Sequence, residues 1–200
     1  MLALLTGPAV LAGCAEKEAV EASSSTRTAA ESPSESSAEP AETSDDAATD
    51  APAFPADTEP DTEQASSGAS VTVSDVRIGR QDGFDRVVFE VGGTGTPGWD
   101  VRYVDTASSQ GSGEPVDVAG DAVLQVTLTG AGYPYDTGVE EFASAGPVTG
   151  SGTEVVTEAV FDATFEGTTV TFVGTSEQTP FRVYLLEGPT RVVVEVADPS

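Results

Sequence analysis

The sequence predicts an all-β fold, an antiparallel β-sandwich over residues 71–200, preceded by a lipobox signal segment and a disordered acidic tether. Three observations carry this. From Val71 onward, short β-branched and aromatic runs are separated by Gly, Pro and Asp clusters, the texture of strands joined by turns. Several of the runs alternate clearly with period two, and no segment shows a convincing helical apolar period. About 130 residues suffice for one domain with a proper core.

The chain opens on an apolar stretch, residues 2–12, about half the roughly 20 residues a membrane-crossing helix needs. It has the length of an export-signal h-region. Leu11-Ala12-Gly13-Cys14 resembles the bacterial lipobox, with small residues at the two positions before the cysteine. That resemblance implies a diacylglycerol on the Cys14 sulfur, cleavage before Cys14 and acylation of the new amino terminus. Two or three acyl chains anchor stably where one does not. Met1 leads into the h-region without the expected basic residues, so the true start is expected upstream. Cys14 is the sole cysteine, which excludes an internal disulfide. Residues 1–13 are thus read as a truncated signal segment.

Residues 14–70 read as the lipid-anchored tether. They are rich in Ala, Ser, Thr, Pro and Glu/Asp and contain a single aromatic, Phe54. Such composition cannot bury enough apolar area to offset the entropy of ordering it. A flexible tether of this length spans roughly 40 Å, and charge repulsion extends it further. The acidic near-repeat Asp57-Thr58-Glu59-Pro60-Asp61-Thr62-Glu63 is read as solvation within it.

Strands are expected near 71–79, 84–92, 99–105, 122–129, 154–165, 168–174, 180–187 and 190–197. In residues 86–91, RVVFEV, Val87, Phe89 and Val91 share one face, and Arg86, Val88 and Glu90 the other. Residues 191–196, RVVVEV, repeat the arrangement with Val192, Val194 and Val196 on one face. The two hexapeptides are read as equivalent strands of facing sheets, with Arg86/Glu90 and Arg191/Glu195 as solvated ladder pairs.

Three separated blocks, DGFDRVVFEV (82–91), SGEPVDVAGDAVLQVTLTGAGYPYDTG (112–138) and PFRVYLLEGPTRVVVEVADPS (180–200), together resemble the AMIN-like domain of lipoproteins from high-GC Gram-positive, actinobacterial-type organisms. The resemblance implies a β-sandwich related to AMIN domains, which help place cell-wall amidases and secretion proteins in the envelope by contacting peptidoglycan.

The chain has no histidine, which removes the usual zinc-amidase ligands and Ser-His-Asp or Cys-His catalysis. Its only lysine, Lys17, lies in the tether. No calcium loop with spaced aspartates is present, so neither metal nor cofactor is expected. Twenty Asp/Glu against six Arg from residue 71 on give a domain charge of −14, out of −26 for the chain. Nucleic acid and anionic headgroups are therefore poor direct partners.

The strongest candidate surface is the loop at 130–142, GAGYPYDTGVEEF. Tyr133 and Tyr135 flank Pro134 and can offer flat faces to a sugar ring, with Asp136 accepting hydroxyl hydrogen bonds. The competing reading has one tyrosine plugging the sandwich end and Asp136 making an Asx-turn. Trp99 shares a face with Val101 and Tyr103 and is either core or a binding residue; Arg182 is read as a surface ladder residue.

The expectation is a non-enzymatic, monomeric protein on the outer face of the cytoplasmic membrane, held by lipid on Cys14 and docking its domain to peptidoglycan or a cell-wall protein. The alternatives are a protein–protein module for an envelope enzyme or secretion component, and a carboxylate glycosidase.

Overall fold

The computed structural model describes residues 57–199. Cys14 and the tether up to residue 56 lie outside the described residues. Nine strands and one helical turn follow in order: β1 Asp61–Glu63, β2 Ser70–Gln81, β3 Phe84–Thr94, β4 Gly98–Val104, β5 Ala122–Thr129, α1 Pro134–Thr137, β6 Val156–Phe165, β7 Thr168–Thr175, β8 Phe181–Leu186 and β9 Arg191–Ala197. They form two antiparallel sheets, β1-β4-β5-β7-β6 and β2-β3-β9-β8. All eight expected strands are present, so the predicted all-β class stands.

Alternation decides which side chains meet between the sheets. Val87, Phe89, Val91, Val192, Val194 and Val196 from one sheet pack with Trp99, Val101, Leu124, Val126 and Val173 of the other. Each such fully buried side chain contributes about 1.5–3 kcal/mol relative to exposure. The two similar hexapeptides are not in facing sheets. They are adjacent strands, β3 and β9, with Phe89 opposite Val192 and Val87 opposite Val194. They look alike because both run through the middle of the same sheet.

The expected in-strand pairs are corrected as well. Residues four apart in a strand share a face but lie about 13 Å apart, too far to pair. Register instead sets Arg86 opposite Glu195 on β3 and β9, and Arg182 opposite Glu195 on β8 and β9. Glu195 is fully buried, not solvated. It accepts hydrogen bonds from Arg86 Nε (2.8 Å), Arg182 Nε (2.5 Å) and the Tyr184 hydroxyl (2.8 Å). Both guanidinium groups lie over the Phe84 ring, at 5.7 and 5.6 Å from its centroid.

A second buried carboxylate joins the two sheets. Asp85 Oδ2 accepts the backbone N–H groups of Glu154, Val155 and Val156 at 2.9, 2.7 and 2.9 Å. Arg80 reaches its other oxygen at 3.2 Å and also grips Asp198. A carboxylate can accept this many donors at once; an amide oxygen plus an NH₂ cannot.

The folded chain begins earlier than residue 71. Asp57 forms a bridge with Phe181, and β1 pairs with β4, placing Glu63 opposite Trp99. Asp61 Oδ1 accepts the Trp99 indole N–H at 2.9 Å. The 57–63 acidic repeat is therefore part of the domain, because it supplies the acceptor that a buried indole requires.

Candidate functional site

The 130–142 segment leaves β5 and returns along β2. Val71 N–H donates to Gly130 O at 3.1 Å, Gly132 N–H to Val71 O at 2.8 Å, and Phe142 N–H to Val73 O at 2.8 Å. These bonds cover part of the β2 edge. Within the segment the sequence expectation of a plain loop gives way to one helical turn, α1, with Pro134 in its first positions. Pro suits that place because its missing N–H has no partner there in any helix. Gly138 closes the turn with φ 70°, a conformation that disfavours side chains.

The turn is fastened from below. Thr137 Oγ1 bonds Thr72 Oγ1 at 2.7 Å, and the Thr72 hydroxyl lies 2.8 Å from Gly132 O. Gly92 of β3 has no room for a Cβ, which would sit 2.9 Å from Val139. The turn is thus mounted rigidly on β2 and β3.

On this mount Tyr133 and Tyr135 stack on each other, centroids 5.4 Å apart and planes 13° apart. Tyr133 is half-buried and Tyr135 is 80 % exposed. The pair forms one platform two rings thick, whose outward surface is that of Tyr135. Asp136 is exposed beside it. The turn is closed by the backbone N–H groups of Asp136 and Thr137 on Tyr133 O, rather than by an Asx-turn. An aromatic face with a neighbouring carboxylate suits a ligand with an apolar ring face and hydroxyl donors.

Trp99 does not join this surface. Only 8 % of it is exposed, and it packs in the core with its N–H on Asp61. Arg182 belongs to the Glu195 network rather than a solvated ladder.

Sequence reasoning missed a cleft further along the same segment. It has a volume of about 360 Å³ and is lined by residues including Glu141, Phe142, Pro147, Phe161 and Asp162. Phe142 and Phe161 meet edge to face at 5.6 Å. Its only signal in the sequence is the EEF at the end of the candidate loop. Among the described residues no group of three His, Cys, Asp or Glu is placed to hold a metal ion.

Two tyrosines away from the platform are perturbed. Burial raises Tyr103, whose hydroxyl donates to Thr179 O at 2.9 Å. Burial, reinforced by the hydrogen bond to Glu195, pushes Tyr184 up to about 12. The Arg80 hydrogen bond holds Asp198 below the usual carboxylate range.

Fold and surface together define a two-layer β-sandwich that presents an aromatic platform on a braced turn. A family profile, the AMIN-like domain, matches residues 71–198, and the chain belongs to that family. Membership points to an extracytoplasmic, envelope-associated binding module related to the cell wall. No curated protein and no solved structure matches the chain significantly.

Proposed function

We propose that this is a non-catalytic envelope protein, held to the outer face of the cytoplasmic membrane by lipid on Cys14, whose AMIN-like domain docks to peptidoglycan through Tyr135 and its surroundings. The observation that carries this reading is the braced tyrosine stack with Tyr135 80 % exposed. A ring fixed on a braced turn loses little freedom when a ligand stacks on it, which favours binding there. The anchor raises the local concentration of the domain at the wall, so a weak contact suffices.

Docking of another protein on the β2 or β6 edge finds less support, because parts of both are occupied. Part of β2 is covered by the 130–142 segment, and β6 is met by Val148 opposite Ala159 and by the Gln110 side chain on Ala163 O at 3.1 Å.

The test is co-sedimentation of the Cys14→Ser chain with purified peptidoglycan, stripped of teichoic polymers, over a salt series. Binding is expected to resist salt, and Tyr135→Ala to weaken it roughly 2- to 12-fold, the equivalent of about 0.5–1.5 kcal/mol for an aromatic contact. Absence of sedimentation at every salt concentration rejects wall docking. Binding untouched by Tyr135→Ala moves the site elsewhere. In the producing cell, the wild-type chain is expected in the detergent-soluble membrane fraction and Cys14→Ser outside it.

A further inference from the structure

After the tyrosine turn the chain crosses from one sheet to the other. Phe142 N–H bonds Val73 O on the β2 edge at 2.8 Å, and Val148 pairs with Ala159 on the β6 edge through two bonds of 2.8 Å. Between these two moorings residues 143–147 are all exposed. The cleft of about 360 Å³ lies between this crossing segment and residues 160–162 of β6. That volume is at the small end for ligand pockets, which run from about 300 to 1,000 Å³.

The apolar wall of the cleft is fixed. Phe142 and Phe161 meet edge to face and both pack against the main core. The register of β6 on β7 shifts between Phe161 and Ala163, which makes Asp162 the extra residue of a β-bulge. A regular strand would send Phe161 and Asp162 to opposite faces, whereas here both line the cleft. Asp162 Oδ2 accepts the Gln110 N–H at 3.2 Å, and among the described residues its other oxygen has no donor.

Facing it across the cleft is Glu141, whose Oε1 is shut off from solvent and has no hydrogen-bond partner among the described residues. A carboxylate partly stripped of water gains more from a cation than a solvated one does. Nothing in the domain supplies that cation. No arginine or lysine lines the cleft. Arg77, Arg80, Arg86, Arg102 and Arg182 are paired with other carboxylates, and Arg191 donates to Pro189 O.

We propose that this cleft is a second binding site, separate from the tyrosine platform, and that it takes a primary alkylammonium group. The ammonium lies between Glu141 and Asp162, and its methylene stem lies on Phe142 and Phe161. An ammonium carries three donors, enough for both carboxylates, and an aromatic wall attracts the cation as well as the stem.

The probe is 1-aminopentane, titrated into the isotope-labelled Cys14→Ser chain and followed by the backbone amide resonances. Saturable shifts are expected at Glu141, Phe142, Phe161 and Asp162. 1-Pentanol, which has the same stem and no charge, is expected to bind at least about tenfold more weakly. Glu141→Gln and Asp162→Asn should each weaken the amine about fivefold, the loss of one partly exposed ion pair. Unchanged β5 and β7 resonances show that both variants are folded. Glu187→Gln removes the same charge from the exposed β8–β9 turn, and is expected to change binding by less than about twofold. Pentanol binding as well as the amine overturns the ammonium assignment. Shifts that do not saturate, or that fall as much in Glu187→Gln as in Glu141→Gln, show diffuse attraction to an acidic surface and overturn the site. Absence of any shift at these four residues overturns it too.

Discussion

At the scale of single residues, two buried carboxylates are set in opposite ways. Asp85 is an acceptor for three backbone N–H groups that open β6, so its removal strips partners from several buried donors at once. Asp85→Ala is expected to cost about 3–5 kcal/mol, read from urea denaturation, because Arg80 also loses a partner. Glu195 instead collects side chains, and one of them reports on it. Tyr184 has a folded-state value of about 12 against about 10 for a free tyrosine. The folded protein therefore binds more protons than the unfolded one between those values. Stability from this group is complete below pH ~10 and is lost as pH rises toward about 12. An absorbance titration should show a tyrosine ionising late, and Tyr184→Phe should delete that phase while flattening the alkaline fall in stability.

At the scale of elements, β1 is the part of the fold that the sequence concealed. The eight longer strands were legible because each is rich in β-branched or aromatic residues over six or more positions and is bounded by Gly, Pro or Asp clusters, with clear alternation in several, such as β4 and β5. Asp-Thr-Glu has no apolar residue, and only the Trp99 N–H, buried on another strand, gives it a reason to pair. Asp61→Ala is expected to destabilise the domain by about 1–3 kcal/mol and to alter the emission of the single tryptophan, whose indole N–H bonds Asp61. The candidate loop was legible as a surface for the opposite reason: Tyr, Pro and Gly cluster there within six residues. Its helical turn was not, since four residues are too few for any period to show. Neither was the Glu195 network. Arg86, Arg182 and Glu195 come from three strands, and only knowledge of which strands are neighbours brings them together.

At the scale of the whole molecule, charge and topology act together. A net −26 disfavours close contact with polyanions, so a ligand of the tyrosine platform proposed above is expected to be neutral or basic. The order β2-β3-β9-β8 places the last strand in the interior of its sheet, between β3 and β8. Without residues 191–198, β8 has no neighbour joining it to β3, Glu195 is missing from between Arg86 and Arg182, and Asp198 is not there for Arg80. A chain folding from its N-terminal side thus holds an unfinished four-stranded sheet until residues 191–197 are available to it. Closure of that sheet is a late event, a keystone step in which β9 enters the gap between β3 and β8 and both buried carboxylate networks complete at once.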